Sequence, residues 1–194
     1  RRHGVRVIED DVYGALTDSA PLCHLLPDCG VLITSLSKTV AAGLRLGWIA
    51  ASPELLSRID PHAQSAHWAV SPVCSAIGCR WLSDGTARRR ADWQIREVTQ
   101  RWRLAKKVLG PWMYQTQIPS PHIWLTAAHS NITLVQQCRA AGVDVVPADV
   151  FATKNTTINA VRISLTAADS AQTLSVALQR IADTLGHFDH ATTP

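Results

Sequence analysis

The sequence contains no apolar run long enough to cross a membrane and no pattern of a secretory signal peptide. A bilayer-spanning helix needs roughly 18 consecutive apolar residues, and a signal peptide combines a basic start with an apolar stretch. The five cysteines form no Cys-x-x-Cys pair, which argues against a zinc cage or a disulfide framework. Together these absences predict a protein of the reducing cytoplasm that makes no contact with a membrane.

Two further classes of site lack the residue arrangement that they require. No pair among the eight histidines stands beside a carboxylate at metal-ligand spacing, so we expect no metal site. The densest basic stretch, Arg88-Arg89-Arg90, lacks the interleaved aromatic residues that are typical of nucleic-acid contacts. We therefore expect this stretch to lie on the solvated face of a helix.

Hydrophobic periodicity divides the chain into two parts, residues 1–110 and 111–194. The first part predicts apolar strands at residues 5–9, 31–35 and 44–51, helices after Ser52-Pro53 and Ser71-Pro72, and a long helix over 86–109. The second part predicts strands at residues 122–126, 143–146 and 161–165, and helices at 131–141 and 171–185, the latter ended by Gly186. This order predicts an α/β fold with a mostly parallel α/β/α layer, followed by a small α+β domain.

The first residues predict that the chain is the later part of a larger protein. Arg1-Arg-His-Gly4 is typical of the end of a helix, with Gly4 as the residue that stops it. The body of that helix and an initiator methionine are both absent. We therefore expect the large domain to be truncated at its N-terminal side.

Lys38 gives the clearest chemical signal in the sequence. It ends Thr34-Ser-Leu-Ser-Lys, directly after an apolar strand, at the strand end where open α/β sheets bind ligands. An amine partly buried beside cations loses its proton readily, as a Schiff base with pyridoxal phosphate requires. The alternative is a surface lysine that happens to follow serines.

Arg45 and two serines are candidates for binding the phosphate group of that cofactor. Arg45 stands in Gly43-Leu-Arg-Leu-Gly47, and arginine binds phosphate through a rigid bidentate fork. Ser35 and Ser37 offer hydroxyls to the same oxygens. The alternative is an arginine in the middle of a strand that points to solvent.

Asp10 and Tyr13 follow the first strand and are candidates for contacts with the cofactor ring. A carboxylate beside a pyridine nitrogen keeps that nitrogen protonated, so that the ring withdraws electrons from the substrate. Asp11 is the rival of Asp10 for this role, and Tyr13 could hydrogen-bond the phenolic oxygen. The alternative is an ordinary turn after a strand, in which Asp and Tyr are common.

Arg162 is a single charge within the apolar strand Ala160-Val-Arg-Ile-Ser-Leu165. A buried arginine needs an anionic partner. A substrate carboxylate, a structural aspartate or an exposed strand face each satisfies the pattern.

Four segments occur in an order that resembles the fold-type I, class I/II aminotransferases. Within these the chain most resembles the aminotransferase-like domains of MocR-type (GntR family) transcriptional regulators. The segments are Ile8-Glu-Asp-Asp-Val-Tyr-Gly14, Ser35-Leu-Ser-Lys-Thr39 with Gly43-Leu-Arg-Leu-Gly-Trp48, Ser120-Pro-His-Ile-Trp-Leu125 and Val161-Arg-Ile-Ser164. The resemblance covers essentially the whole chain, and Pro147-Ala-Asp-Val-Phe151 departs from the Pro-Gly that the family usually has there.

The resemblance implies a PLP-dependent transferase fold (type I) and a set of residue roles. Lys38 is then the catalytic lysine that forms the imine, and Asp10 and Tyr13 contact the cofactor's pyridine nitrogen and phenolic oxygen. Ser35, Ser37 and Arg45 hold the phosphate, and Arg162 binds the substrate carboxylate.

The implied function is amino transfer between an amino acid and a 2-oxo acid, and the alternative is an effector domain that senses PLP and an amino acid in a GntR/MocR-type regulator. In the family, the first half of the fold supplies further pocket walls and most of a homodimer interface. We therefore expect the 194-residue chain alone to be inactive, and DNA to be bound only through a domain absent from it.

Overall fold

The computed structural model describes most of the chain and divides it into two compact units, residues 1–95 and residues 96–194. The described residues are 3–17, 19–59, 70–126, 130–153 and 158–191, with side chains described up to residue 187 in the last stretch. The division falls within the long helix, whereas the sequence predicts a boundary near residue 110, which stays a prediction. Arg1 and Arg2, part of the predicted helix end, lie outside the described residues, while Gly4 has the positive φ of 63° that suits a helix stop.

The first unit contains a mixed three-stranded sheet. Strands β1 (Val7–Asp10), β2 (Gly30–Ser35) and β3 (Gly47–Ala50) follow one another in the order β1-β2-β3. β1 pairs with β2 in parallel, and β2 pairs with β3 in antiparallel orientation. The carboxyl ends of β1 and β2 and the start of β3 therefore meet at one edge of the sheet.

The predicted third strand, β3, is not buried, and it does not share the parallel direction that predominates in the predicted layer. The segment between Ser35 and Gly47 contains only the short 3-10 turn Ala42–Leu44 and no crossover helix, so β3 returns antiparallel. Within the described part of the chain β3 pairs only with β2, and its Trp48 and Ile49 side chains are 37% and 39% exposed. An apolar run does not distinguish an edge strand from a strand covered on both faces.

Among the described residues, β3 is followed by helices α1 (Pro53–Leu56), α2 (Pro72–Ser83) and α3 (Thr86–Leu109) before the second sheet begins. The Ser52 hydroxyl accepts a hydrogen bond from the Leu55 N–H at 3.3 Å, which confirms the predicted N-cap of α1. Ser71 makes no such bond at the start of α2, so Pro72 marks that start without a side-chain cap. The predicted bounds of α3 are confirmed.

The core of the first unit packs beneath the turns that follow β2. Leu36 and Leu44 are buried there, with Leu46 and Trp81 packed against them. Helix α2 approaches closely through Gly78, where an added Cβ would overlap the Leu46 side chain. This packing anchors the two segments that carry Lys38 and Arg45.

The second unit contains an antiparallel sheet of β4 (His122–Thr126), β5 (Val146–Pro147) and β6 (Ala160–Ser164), in the order β4-β6-β5. Helices α4 (Asn131–Ala140) and α5 (Ala171–Ala191) belong to the same unit. The fully buried side chains of the unit include Leu109, Leu125, Leu134 and Leu178, so its core lies between the sheet and these helices. The predicted α+β unit is confirmed.

Two element bounds of the second unit differ from the prediction. Residues 143–145 are not part of a strand, because the Val143 N–H donates to the Cys138 carbonyl and continues the turn that ends α4. Helix α5 passes through Gly186 and continues to Ala191. Gly186 lacks the positive φ that Gly142 (φ 78°) has at the predicted end of α4, so it does not stop the helix.

The basic stretch of α3 lies on a solvated helix face, as predicted. Arg88 forms an ion pair with Asp92 at 2.9 Å, and Arg90 lies over the ring of Trp93 at 4.2 Å. Arg89 donates to the Thr86 hydroxyl. Across the described ranges, no helix combines the length and the apolar character that a bilayer crossing needs.

Candidate cofactor site

Asp10 and Ser35 lie at the same edge of the first sheet. Asp10 is the last residue of β1 and pairs in register with Ile33, while Ser35 ends β2 and pairs with Gly47 at the start of β3. Asp10 is exposed, and it forms no hydrogen bond or ion pair with the rest of the described chain. Its carboxylate is therefore open to a ligand at this edge.

Asp11 is held differently from Asp10. Its backbone N–H donates to the Ile33 carbonyl at 2.8 Å, and its carbonyl accepts the Thr34 hydroxyl at 3.0 Å. Its carboxyl group is folded against its own turn, because a Cβ at Gly14 would overlap it. Burial raises the pKa of Asp11, and the neighbouring carboxylates of Glu9 and Asp10 raise it further. Of the two rivals, Asp10 is the one with an open carboxylate.

Tyr13 and Lys38 meet across the turns that follow β1 and β2. The Nζ atom of Lys38 lies 5.7 Å from the centre of the Tyr13 ring, within the range of a cation–π contact. Lys38 is exposed, but its neighbours Leu36 and Thr39 are buried. The Val40 and Ala41 N–H groups both donate to the Leu36 carbonyl at 2.9 Å, which fixes the turn that carries the lysine.

Glu9 binds the loop between β1 and β2 to strand β1. The two carboxylate oxygens of Glu9 accept the Leu22 and Cys23 N–H groups, each at 2.8 Å. These hydrogen bonds, the one from Cys23 foremost, lower the pKa of Glu9. Glu9 therefore stabilises the strand that ends in Asp10.

The serines and Arg45 lie in consecutive turns that are joined by their backbones. The Ser35 Oγ accepts the Ser37 N–H at 3.3 Å, and the Leu36 N–H donates to the Leu46 carbonyl at 3.1 Å. The hydrogen bond between Leu36 and Leu46 places Arg45, the residue before Leu46, next to the turn that contains the serines.

Arg45 does not lie in a strand, contrary to the predicted strand over 44–51. It follows the 3-10 turn Ala42–Leu44 with φ 49° and ψ 35°, and β3 begins two residues later at Gly47. Such left-handed backbone costs a non-glycine residue about 1–2 kcal/mol, and no other non-glycine in the described stretches has a positive φ. The buried Leu44 and the half-buried Leu46 point the apolar side of the turn inward and leave Arg45 exposed.

The charged side chains at this edge of the sheet could bind an anion. Lys38 and Arg45 are exposed cations, and neither side chain forms an ion pair or a hydrogen bond with the residues that the structure describes. Hydroxyls of Ser35 and Ser37 lie in the turn between them. An amine, a guanidinium, hydroxyls and an open carboxylate at one sheet edge fit the aldehyde, the phosphate and the ring nitrogen of pyridoxal phosphate.

Arg162 belongs to the second unit, on the face of its sheet that is turned away from the core. It pairs in register with Trp124 of β4 and Val146 of β5. Its Cζ atom lies 4.4 Å from the centre of the Phe151 ring, and the Trp124 and Phe151 rings meet edge to face at 5.4 Å. The buried Nε of Arg162 has no hydrogen-bond partner within the described part of the chain. A structural carboxylate, one of the predicted alternatives, is thus not found beside it among those residues.

Sequence reasoning assigned no role to Phe151 or Trp124. Trp124 alternates with the core residues Ile123 and Leu125, a pattern that could have placed it on the outer face with Arg162. Phe151 had no comparable signal, because its contact depends on the path of the loop between β5 and β6.

The chain matches a known protein family over most of its length. The family model described as aminotransferase class I and II matches residues 1–181. The chain belongs to this family. As an aminotransferase class I and II member it has the fold of the type I PLP-dependent transferases, and family membership implies pyridoxal phosphate as cofactor.

Solved aminotransferases share this fold at low sequence identity. The multiple substrate aminotransferase of Thermococcus profundus superposes with a TM-score of 0.82 and 20% identity, over 96% of this chain and 49% of that one. The alpha-aminoadipate aminotransferase LysN of Thermus thermophilus, complexed with N-(5'-phosphopyridoxyl)-L-leucine, gives 0.83 and 20%, over 98% and 52%. This chain therefore spans about half the length of these aminotransferases.

The curated relatives of this aminotransferase-family chain are named as transcriptional regulators. The HTH-type transcriptional regulator YisV of Bacillus subtilis is 27% identical over 142 residues, which are 68% of this chain and 29% of the regulator. The HTH-type transcriptional regulator NorG of Staphylococcus aureus is 34% identical over 62 residues, 30% of this chain and 14% of the regulator. The predicted resemblance to regulator-type aminotransferase domains is confirmed.

Proposed function

We propose that the chain contributes the catalytic lysine and part of the cofactor pocket to a PLP-dependent transfer of an amino group between an amino acid and a 2-oxo acid. The observation that carries this proposal is the position of Lys38. Its amine stands against the Tyr13 ring, at the sheet edge that also presents Asp10 and leads into the turn of Arg45. When bound, pyridoxal phosphate supplies an electron-withdrawing ring that acidifies the α-carbon of the substrate.

The other residues each bind or orient one group. The Asp10 carboxylate keeps a proton on the ring nitrogen, and the Tyr13 hydroxyl hydrogen-bonds the phenolic oxygen. Ser35, Ser37 and the Arg45 guanidinium bind the phosphate through hydroxyls and paired N–H donors.

Lys38 and Arg162 act on the substrate. The Lys38 Nζ would take the proton from the substrate α-carbon as a general base and, as an acid, would pass it to the cofactor carbon that keeps the amino group. Arg162 binds the α-carboxylate through its bidentate fork.

A trapping experiment tests the role of Lys38 in the 194-residue chain. The chain is incubated with pyridoxal phosphate, reduced with borohydride and digested, and the labelled amines are located by mass spectrometry. The other lysines of the sequence, Lys106, Lys107 and Lys154, and the α-amino group are internal controls. We expect the label to concentrate on Lys38, and equal labelling of all amines would contradict the proposal.

The phosphate site is tested in the same experiment with a second ligand. Arg45→Ala should lower the labelling of Lys38 by pyridoxal phosphate but leave its labelling by pyridoxal, which lacks the phosphate, unchanged. An equal loss with both ligands would mean that Arg45 supports the fold of the turn and not the phosphate.

The names of the curated relatives favour a second candidate function. In a regulator, the same pocket would bind pyridoxal phosphate and an effector amino acid, the homodimer would change conformation, and DNA would be bound by a separate domain. Translation of the DNA upstream of the Arg1 codon discriminates between the two, because a helix-turn-helix segment there favours the regulator. Mass-spectrometric detection of a 2-oxo acid formed from an added amino acid favours the enzyme. A cytoplasmic location is part of both candidates.

A further inference from the structure

We propose that Phe151 is a positioning residue that holds the guanidinium of Arg162 ready for a carboxylate. This inference rests on the function proposed for Arg162 above. It starts from the outer face of the second sheet, where Trp124, Arg162 and Val146 form one row across the three strands. Phe151 lies over the middle of this row, 4.4 Å from the Arg162 Cζ.

The ring contact holds the charge of Arg162 without using its hydrogen-bond donors. An aromatic ring attracts a guanidinium through the negative potential of its face, and the contact consumes none of the five N–H groups. The Nε group is buried and has no partner among the described residues. A buried donor that is left unpaired is costly. A guanidinium that is oriented and still unpaired is the arrangement that a planar carboxylate completes with two parallel hydrogen bonds.

Trp124 holds Phe151 in turn. The two rings meet at 81° with their centres 5.4 Å apart, the edge-to-face geometry that aromatic pairs favour. Trp124 is also the cross-strand neighbour of Arg162. The guanidinium is thus fixed by a neighbour on its own sheet and by a ring that the same neighbour supports.

The turn that carries Phe151 is tied to the start of α4. The Asp149 carboxylate accepts the Ile158 N–H at 3.0 Å, and the Asn131 amide donates to the Ile158 carbonyl at 3.0 Å. Asn131 is fully buried. These bonds hold Asp149 and Ile158 at the start of α4, and Phe151 lies two residues after Asp149 in the same 3-10 turn.

The test uses arginine side-chain NMR signals of the 194-residue chain labelled with ¹⁵N-arginine. Arg162→Lys identifies the Nε–H signal of Arg162 by its loss. We expect this signal to carry an upfield ring-current shift in the wild type and in Phe151→Tyr, and to lose it in Phe151→Leu. The probes are 4-methylpentanoate and its primary amide, 4-methylpentanamide, which differ only in the group that Arg162 is proposed to bind.

The carboxylate should move the Arg162 signal and the amide should not. Phe151→Leu should weaken carboxylate binding roughly 2- to 30-fold, the loss expected when a cation–π contact is removed. Phe151→Tyr should restore it, and Val150→Ala, a change at a 68% exposed side chain in the same turn, should leave it unchanged.

Two results would overturn the inference, and they differ in what they say about the proposed function. If Phe151→Leu binds the carboxylate as tightly as the wild type, Phe151 does not position Arg162, while the role of Arg162 stands. If the wild type does not bind the carboxylate although Lys38 is trapped selectively, Arg162 is not the carboxylate site, while the cofactor role of Lys38 stands.

Discussion

The ammonium group of Lys38 lies 5.7 Å from the centre of the Tyr13 ring. This contact joins the turn after β1 to the turn after β2, in addition to the bonds that the Asp11 backbone makes with Ile33 and with the Thr34 hydroxyl. A cation held over a ring keeps this exposed amine at the sheet edge.

Replacement of Tyr13 separates the effect of its ring from that of its hydroxyl. Tyr13→Phe keeps the ring under the amine but removes the hydroxyl proposed to bind the phenolic oxygen, so we expect a smaller loss of Lys38 trapping by pyridoxal phosphate than in Tyr13→Ala. Tyr13→Ala removes the ring and should lower that trapping several-fold, in line with a contact of about 0.5–2 kcal/mol. The measurement is the fraction of Lys38 peptide labelled after borohydride reduction. Equal trapping in both variants would show that the ring contact does not guide the lysine.

An alanine at Gly78 of α2 is expected to fit only if the Leu46 side chain moves aside. A Cβ there would overlap the end of that side chain, which packs beneath the turn of Arg45, so Gly78→Ala should destabilise the chain by about 1 kcal/mol through overpacking. Gly186 is the matched control, because it also lies within a helix but an added Cβ meets nothing within 4 Å. Gly186→Ala should stabilise by about 0.5–1 kcal/mol. Urea unfolding followed by circular dichroism measures both, and a stabilising Gly78→Ala would contradict the packing described.

Arg101 ties α3 to the segment that follows β6. Its Nη1 donates to the carbonyls of Leu165 and Ala168 at 3.0 and 2.8 Å, and its side chain is only 12% exposed. Arg101→Met keeps much of the apolar stem but leaves two carbonyls without their donor, at a cost of about 1–3 kcal/mol. Arg139→Met is the control, since that arginine pairs with Asp144 on the open surface and should change stability by less than about 1 kcal/mol. Thermal unfolding of both variants measures these changes in stability. Equal losses in Arg101→Met and Arg139→Met would argue against the role of Arg101.

Asp149 should make stability depend on pH on the acid side. The Ile158 N–H, which donates to the Asp149 carboxylate, and then the Asn131 side chain lower the pKa of Asp149 below the usual value of 3.8. The folded state then favours the ionised carboxylate, so this stabilisation is complete above the unfolded pKa and is lost as the pH falls through the folded pKa. The midpoint of thermal unfolding should therefore differ between the wild type and Asp149→Asn near pH 6, and the difference should shrink below about pH 4. A difference that stays constant across this range would mean that the charge of Asp149 is not involved.

The sequence predicted some elements to the residue and missed others for physical reasons. The bounds of α3 and β4 were predicted correctly, because each has a strong periodic pattern between clear breakers. The meeting of Asp10 with the segment of Lys38 followed from the rule that parallel strands end at one sheet edge. The antiparallel return of β3 was missed, since the apolar pattern of a strand does not contain its direction.

The contacts of Arg162 and the conformation of Arg45 could not be predicted from local sequence. Arg162 meets Phe151 through a loop whose path depends on the buried Asn131, far from either residue in the chain. Arg45 has alternating leucines on both sides, which favours a strand, but the packing of Leu44 and Leu46 into the core forces a turn. In both cases tertiary packing overrides the local pattern.

The left-handed backbone of Arg45 implies that an arginine at this position lowers the stability of the folded chain. Asparagine adopts the left-handed region far more readily than arginine, so Arg45→Asn should raise the free energy of unfolding by about 0.5–1 kcal/mol. The same change should weaken the trapping of pyridoxal phosphate at Lys38. A variant that unfolds less easily but binds pyridoxal phosphate more weakly would show that the guanidinium serves ligand recognition at a cost in folding stability.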